Sequence, residues 1–211
     1  HGALKIVMSA ENTFFQMRKN PYMDEIYSRG FMTDLSKVRR NETSQLVYHK
    51  TLNYGDCILE KRAAAAAGIN EKIFINTKGQ ISEGTVCNVF FVRKNMIYTP
   101  QLSCGLLPGI LREYIMERFQ VTETIIYPDE LMYYEECFVT NSLMGVMPVR
   151  QLGNICFPHR AKADEVREVY EKEKMSLAQM MIEEKEPVDK ISKYTGYAID
   201  KLKEIASAMG Q

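Results

Sequence analysis

The segment from Tyr48 to Arg112 constrains the fold most, because its hydrophobic period changes several times within a short length. The run DCILEKRAAAAAG is made of strong helix formers and closes on Gly68, the residue expected just past a helix C-terminus. EKIFINT and VCNVFFV follow, β-branched and aromatic, with Lys78-Gly79 and Lys94-Asn95 as turns and MIYTP as a third strand. An antiparallel meander is expected here. Gly109 to Phe119 is helical by pattern, VTETII reads as a strand, PDELMYY as a short helix, and CFVTNS and VMPVRQL as two more strands. Strand clusters with separate helices predict an α+β fold.

On the N-terminal side, LKIVMS, TFFQM and FMTDLSKV read as short strands separated by the breakers Asn20-Pro21 and Arg29-Gly30. Residues 1–40 are therefore expected to be the end of a small β-rich domain, and 41–160 a larger domain. The polar run Arg39-Arg40-Asn41-Glu42 is the expected crossing between them. Arg39 and Arg40 could reach a substrate carboxylate, although a solvated linker face is the more economical reading. Residues 161–211 form a charged helical extension. Its last segment, PVDKISKYTGYAIDKLKEIASAM, places apolar residues at helical spacing on both sides of Thr195-Gly196. That pattern predicts a helix-turn-helix-like hairpin, and an amphipathic appendage is a better reading of it than a DNA reader.

Composition excludes several function classes. Lys and Arg total 27, as do Asp and Glu, so the zero net charge leaves no electrostatic footprint for nucleic acid or an anionic membrane. No apolar run approaches the ~20 residues of a membrane helix. Cys57, Cys87, Cys104, Cys137 and Cys156 are odd in number and form no CxxC pair, which points away from disulfides and zinc and toward a reducing, cytoplasmic setting. His1-Gly2, directly ahead of the strand-like ALKIVMS, is expected to be a tag scar on a truncated chain.

Three signals carry chemistry. Lys50 lies between the apolar stretch QLVYH and the run TLNY, where a buried ammonium would be costly unless deprotonated or engaged, the condition that suits a lysine to condense with an aldehyde. Glu83 follows 33 residues later in ISEGT, beside Gly84, which permits a close backbone approach. A carboxylate there could keep a ring nitrogen protonated, so that the ring accepts electrons. Gly109 opens a helix whose free amides could take a phosphate. Each also has an ordinary reading as solvated charge, turn cap or helix cap. Together they describe a site for an aldehyde cofactor that carries a phosphate.

The order HKTLNY, ISEGTVCNVFFV, YTPxLxxGLLxGILR and CFVTNSLMGVMPV, over roughly Ala3 to Val149, resembles the class IV aminotransferase family of fold-type IV pyridoxal-phosphate enzymes. The resemblance implies pyridoxal 5'-phosphate as cofactor, a small-molecule amino substrate and a homodimer. It implies that Lys50 carries the cofactor and that Glu83, with Asn88, faces the pyridine nitrogen. Leu107 would pack on the ring face. Gly109, Ile110 and Leu111 would bind the phosphate, and Thr140, Asn141 and Ser142 would form a second phosphate and substrate-side turn. Tyr54 would hydrogen-bond a cofactor oxygen or simply pack. Family members also use an earlier arginine for the phosphate; Arg18 and Arg29 come too late to match it. TNSLMGVMPV is similar to 4-amino-4-deoxychorismate lyase, which implies release of 4-aminobenzoate and pyruvate in folate biosynthesis. A D-amino-acid or branched-chain aminotransferase is the alternative, and a non-catalytic dimerising remnant the third reading.

Overall fold

The computed structural model describes residues 2–210; His1, expected to belong to a tag scar, lies outside the described residues. The chain divides into two compact units, one of Asp24–Arg167 and one of the first 23 residues with the chain from Glu168 onward.

The larger unit is built on a nine-stranded mixed sheet. Its strands are β3 (Phe31–Arg40), β4 (Glu71–Asn76), β5 (Ile81–Gly84), β6 (Asn88–Arg93), β7 (Met96–Pro100), β8 (Val121–Thr124), β9 (Glu136–Asn141), β10 (Gly145–Leu152) and the short β11 (Ile155–Cys156). They run in the order β5-β4-β3-β10-β9-β6-β7-β8, with β11 on β10. Two helices of this unit are α2 (Gly55–Ala66) and α3 (Ile110–Arg118), and the short α1 (Asp24–Arg29) precedes β3. The α+β expectation holds.

Two expectations need correction. FMTDLSKVRR does not end a separate small domain: β3 lies inside the larger sheet, parallel to both β4 and β10. Parallel neighbours on both sides leave Phe31, Thr33 and Ser36 buried. The segment 71–100 is also not a simple meander. β4 pairs with β5 and β6 with β7, both antiparallel, but β6 takes β9 as its second neighbour, and β5 is an edge of the hydrogen-bonded order. Strands β5 and β6 still lie close to each other, so the sheet curls around the segment that joins them.

Local chemistry explains the junctions. Lys94 and Asn95 both have positive φ (50° and 63°), as a tight hairpin with right-handed strand twist requires. α2 crosses from β3 to its parallel neighbour β4, and Lys61 on α2 donates to Glu71 Oε2 (2.9 Å) and to the Asn70 carbonyl (2.7 Å). PDELMYY forms 3₁₀ turns rather than an α-helix. The sheet core includes Phe74, Phe90, Phe91, Phe138 and Met147, all fully buried.

In the smaller unit, β1 (Gly2–Met8) and β2 (Thr13–Lys19) form an antiparallel hairpin. The long helix α4 (Ala161–Glu183) supplies Ala178, Met181 and Ile182 to a core completed by Ile191 of α5 (Val188–Thr195) and by Leu202 and Ile205 of α6 (Ile199–Ala208). The expected helical hairpin forms, and Gly196 ends α5 in the left-handed region at φ 71°. Among the described residues no helix is long and apolar enough to cross a membrane.

Phe90 and Phe138 face each other across β6 and β9 with ring centroids 4.8 Å apart. Phe90→Ala is expected to cost about 3–5 kcal/mol, the range for emptying a fully packed aromatic position. Denaturant unfolding monitored by circular dichroism checks this; a loss below about 1 kcal/mol would mean the core recloses around the cavity.

Candidate active site

The curl of the sheet brings the end of β3, the strand β5 and the turn before α3 to one place. Glu83 on β5 is 5% exposed, and its two oxygens have different partners. Oε1 accepts a short charged hydrogen bond from Arg40 Nη2, and Oε2 accepts from the Leu107 backbone N–H at 3.0 Å. Burial, the largest influence, pushes the Glu83 carboxyl above the usual carboxylate range, opposed by Arg40, by the Leu107 amide and more weakly by the Lys50 ammonium. Burial alone would lower Arg40, but Glu83, and after it Cys57, raise its guanidinium pKa above the ordinary value. Arg40 Nη1 reaches Cys57 Sγ at 3.4 Å, and the guanidinium lies 5.0 Å from the centre of the Phe74 ring. Burial pushes the Cys57 thiol up, with Arg40 opposing.

Arg40, the partner of Glu83, is the side chain that sequence reasoning placed elsewhere, on a solvated crossing. It is the last residue of β3, and its partner lies 43 residues later on a strand to which β3 is not directly bonded. No periodicity or motif could have joined the two. Glu42, assigned to the same crossing, is buried as well and accepts from Thr77 Oγ1 at 2.8 Å and the Thr77 N–H at 3.2 Å.

The main chain of Leu107 is held from both sides. Its N–H donates to Glu83, and its carbonyl accepts from Asn88 Nδ2 at 2.9 Å. A Cβ on Gly109 would fall 2.1 Å from Asn88 Oδ1, so only glycine lets the start of α3 approach β6 this closely. Gly84 is comparable, since a Cβ there would fall 2.4 Å from Cys87 Sγ. Gly109 is the N-cap of α3 and no side chain caps that terminus, so the amides of Ile110 and Leu111 begin the helix without a side-chain acceptor. Ile110 is 78% exposed, whereas Leu111 is buried. Arg112 anchors the helix through Glu123 and the Pro100 carbonyl (3.1 Å).

Thr140 lies opposite Asn88 in the β6–β9 register, and its Oγ1 is buried with no hydrogen-bond partner. The following turn differs from expectation. Asn141 Oδ1 accepts from the N–H groups of Leu143 (3.0 Å) and Met144 (2.7 Å), so these amides are not free for an anion, and Ser142 is exposed. Met144 and Met147 are buried, whereas Leu143 is exposed.

Lys50 also departs from expectation. It is exposed, in the loop between the 3₁₀ turn Gln45–Tyr48 and α2, five residues before that helix. Its charge nevertheless acts on Glu83. Tyr54 is the half-buried N-cap of α2. Among the described residues no group of three or more His, Cys, Asp or Glu side chains is placed to hold a metal ion.

A carboxyl group whose folded pKa lies above its unfolded one supports folding at low pH, and that contribution is lost as pH rises through the folded value. Arg40→Met removes the strongest opposition to burial, so Glu83 should rise further and the damage should grow with pH. The expected cost is about 3 kcal/mol at pH 7 and clearly less at about pH 4. Denaturant titrations at both pH values test this; equal losses would uncouple Glu83 from Arg40.

The chain spans only part of the proteins it is similar to. A Thermotoga maritima protein named as a probable branched-chain-amino-acid aminotransferase is 36% identical over 90 residues, which is 40% of this chain and 33% of that protein. A solved Legionella pneumophila structure provisionally named 4-amino-4-deoxychorismate lyase superposes with a TM-score of 0.69 at 26% identity, covering 76% of this chain and 60% of that one. The branched-chain amino acid aminotransferase of Thermobaculum terrenum, solved in its PLP form, superposes with a TM-score of 0.62 at 26% identity, covering 74% and 56%. The family model for amino-transferase class IV matches residues 3–152, well over half of the sequence, and with the fold-type IV architecture it shows that this chain belongs to the class IV aminotransferase family.

Proposed function

We propose that this chain is the cofactor-binding part of a pyridoxal-phosphate-dependent enzyme that moves the amino group of a small aliphatic amino acid to a 2-oxo acid. The observation that carries the reading is the buried Glu83 carboxylate, fixed by Arg40 and the Leu107 amide beside an uncapped helix N-terminus. The residues present fit the cofactor: the partnerless Thr140 hydroxyl and the start of α3 suit a phosphate, and Glu83 suits a protonated ring nitrogen.

When bound, the cofactor supplies an aldehyde that captures the substrate amine and a ring that takes up the electron pair left by Cα–H cleavage. In this reading the amides of Ile110 and Leu111, with Thr140 Oγ1, bind the phosphate. Leu107 packs on the ring face. Glu83, whose carboxyl is held down against burial by Arg40 and the Leu107 amide, would face the ring nitrogen and hold its proton. The Lys50 amine would hold the cofactor through its aldehyde group and would carry a proton to and from the substrate; its exposed loop position leaves it room for both tasks. Tyr54, at the head of α2, orients a ring oxygen.

The aliphatic preference is supported by the branched-chain aminotransferase names among the relatives. The lyase reading, release of 4-aminobenzoate and pyruvate from 4-amino-4-deoxychorismate, is kept as the second, supported by the fold likeness to the Legionella protein and by the TNSLMGVMPV segment. A homodimer belongs to the same proposal, and light scattering at micromolar concentration measures it.

Borohydride treatment of the chain with pyridoxal phosphate, followed by peptide mapping, should mark Lys50; labelling elsewhere with Lys50 unmodified would reject its role. Glu83→Gln should lower turnover about 100-fold or more while cofactor is retained. Leucine with 2-oxoglutarate is expected to react. Equal yields of 4-aminobenzoate and pyruvate from aminodeoxychorismate, with no oxo-acid acceptor present, would establish the lyase instead.

A further inference from the structure

We infer that a hollow at the start of β3 is a second anion site, shaped for a small polyvalent oxyanion such as a phosphate ester or a dicarboxylate. The hollow, about 330 Å³, is lined by Arg29, Arg150, His159 and Arg160, with Cys156 and the buried Phe157 beside them, and no aspartate or glutamate lines it. In a chain of zero net charge this is a local concentration of basic groups, of which Arg160 is paired with a carboxylate.

The basic side chains divide by role. Arg160 is already engaged: Nε and Nη2 donate to the Asp164 carboxylate at 2.8 and 2.7 Å, and Nη1 donates to the carbonyls of Tyr27 and Ser28 at 2.9 and 3.0 Å. It fixes the C-terminal end of α1 beside the first turn of α4 and so builds one wall. The first free amides of α4 are also taken, since the Lys162 and Ala163 N–H groups donate to Glu136 at 3.0 and 3.1 Å. The site is therefore not a helix N-terminus.

The remaining basic side chains are exposed and meet no carboxylate in the hollow. Arg150 has one contact, Nη2 to Met32 Sδ at 2.8 Å, and a thioether is a weak acceptor that brings no negative charge. Arg29 and His159 have no hydrogen-bond or ion-pair partner among the described residues. Arg29 and Arg150 rise from touching backbone, because a Cβ on Gly30 would lie 3.5 Å from Arg150 Cβ and 3.2 Å from the Pro148 carbonyl. Arg29 and Arg150 both line this one volume and both are exposed, so their guanidinium groups can turn to an oxyanion there, which each can grip with paired N–H donors. The volume lies at the small end of ligand pockets, which limits the anion to a small molecule. None of these residues belongs to the proposed cofactor site, so this inference stands or falls separately.

Cys156 provides a local reporter, being the one exposed cysteine of the five. Its alkylation rate by iodoacetamide, followed by mass spectrometry on the whole chain, would be measured with inorganic phosphate, with succinate, and with sodium chloride at matched ionic strength. Phosphate or succinate should slow the labelling several-fold and saturably, where chloride does not. Protection by phosphate alone assigns the phosphate-ester class, and protection by succinate alone the dicarboxylate class. Arg29→Gln and Arg150→Gln should each raise the half-protecting concentration about tenfold, as expected for losing a charge-assisted hydrogen bond. Arg150→Lys, which keeps the charge, should recover part of it. A variant in which buried cysteines become reactive is misfolded, and the phosphate-against-chloride comparison on the unsubstituted chain then decides alone. No protection beyond chloride, or protection that both substitutions leave intact, overturns the inference.

Discussion

A carboxylate with little solvent left around it must be answered by hydrogen bonds and a cation, and much of the larger unit is arranged to answer Glu83. The cation comes from the last residue of β3, and the neutral donor from the turn that leads into α3. β5 carries the carboxylate as an edge of the hydrogen-bonded order. For the three to meet, β3 must run parallel to β4 so that Arg40 reaches the right end of the sheet, and the sheet must curl so that β5 returns close to β6. Local preference alone would assemble neither arrangement.

The supports around this centre work mainly through main-chain atoms. Asn88 takes the Leu107 carbonyl, and Ser82 Oγ donates to the Gly105 carbonyl at 2.9 Å. The loop that presents the Leu107 amide is thus tied to two strands before α3 begins. Gly109 then brings the helix start against Asn88, at a distance where any side chain would displace the Asn88 amide. A helix N-terminus placed in this way, with a partnerless Thr140 hydroxyl in the register across from Asn88, is a region of unmet hydrogen-bonding capacity. That capacity, beside the buried Glu83 carboxyl, gives the cofactor proposal its physical content.

The basic hollow follows a different logic. Its geometry depends on Arg160, whose donors are spent on a carboxylate and two carbonyls, and its charge comes from exposed arginines that pair with no carboxylate among the described residues. A rigid wall and exposed charge meet in one place only because the parallel pairing of β10 with β3 sets Arg150 beside the residue that follows Arg29.

Much was legible in the residues themselves. DCILEKRAAAAAG had to be helical, Lys94-Asn95 had to turn, and KIFIN and NVFFV had to be strands, because propensity and period act over a few residues and need no partner. The spelling around Lys50, Glu83 and Gly109 marked the family for the same reason, since those motifs are local. Other features depended on residues far apart in sequence. The place of β3 in the larger sheet, the insertion of β6 between β9 and β7, the exposure of Lys50, the capture of the turn amides by Asn141 and the burial of Met144 are all of this kind. Arg40 is the clearest case: its sequence neighbours are polar and suggest solvent, yet a carboxylate 43 residues away, together with the low dielectric around it, makes it part of the site. What the sequence by itself determined is therefore the set of elements and the family. The tertiary structure alone decided which charges face each other, because burial and pairing are properties of space rather than of order along the chain.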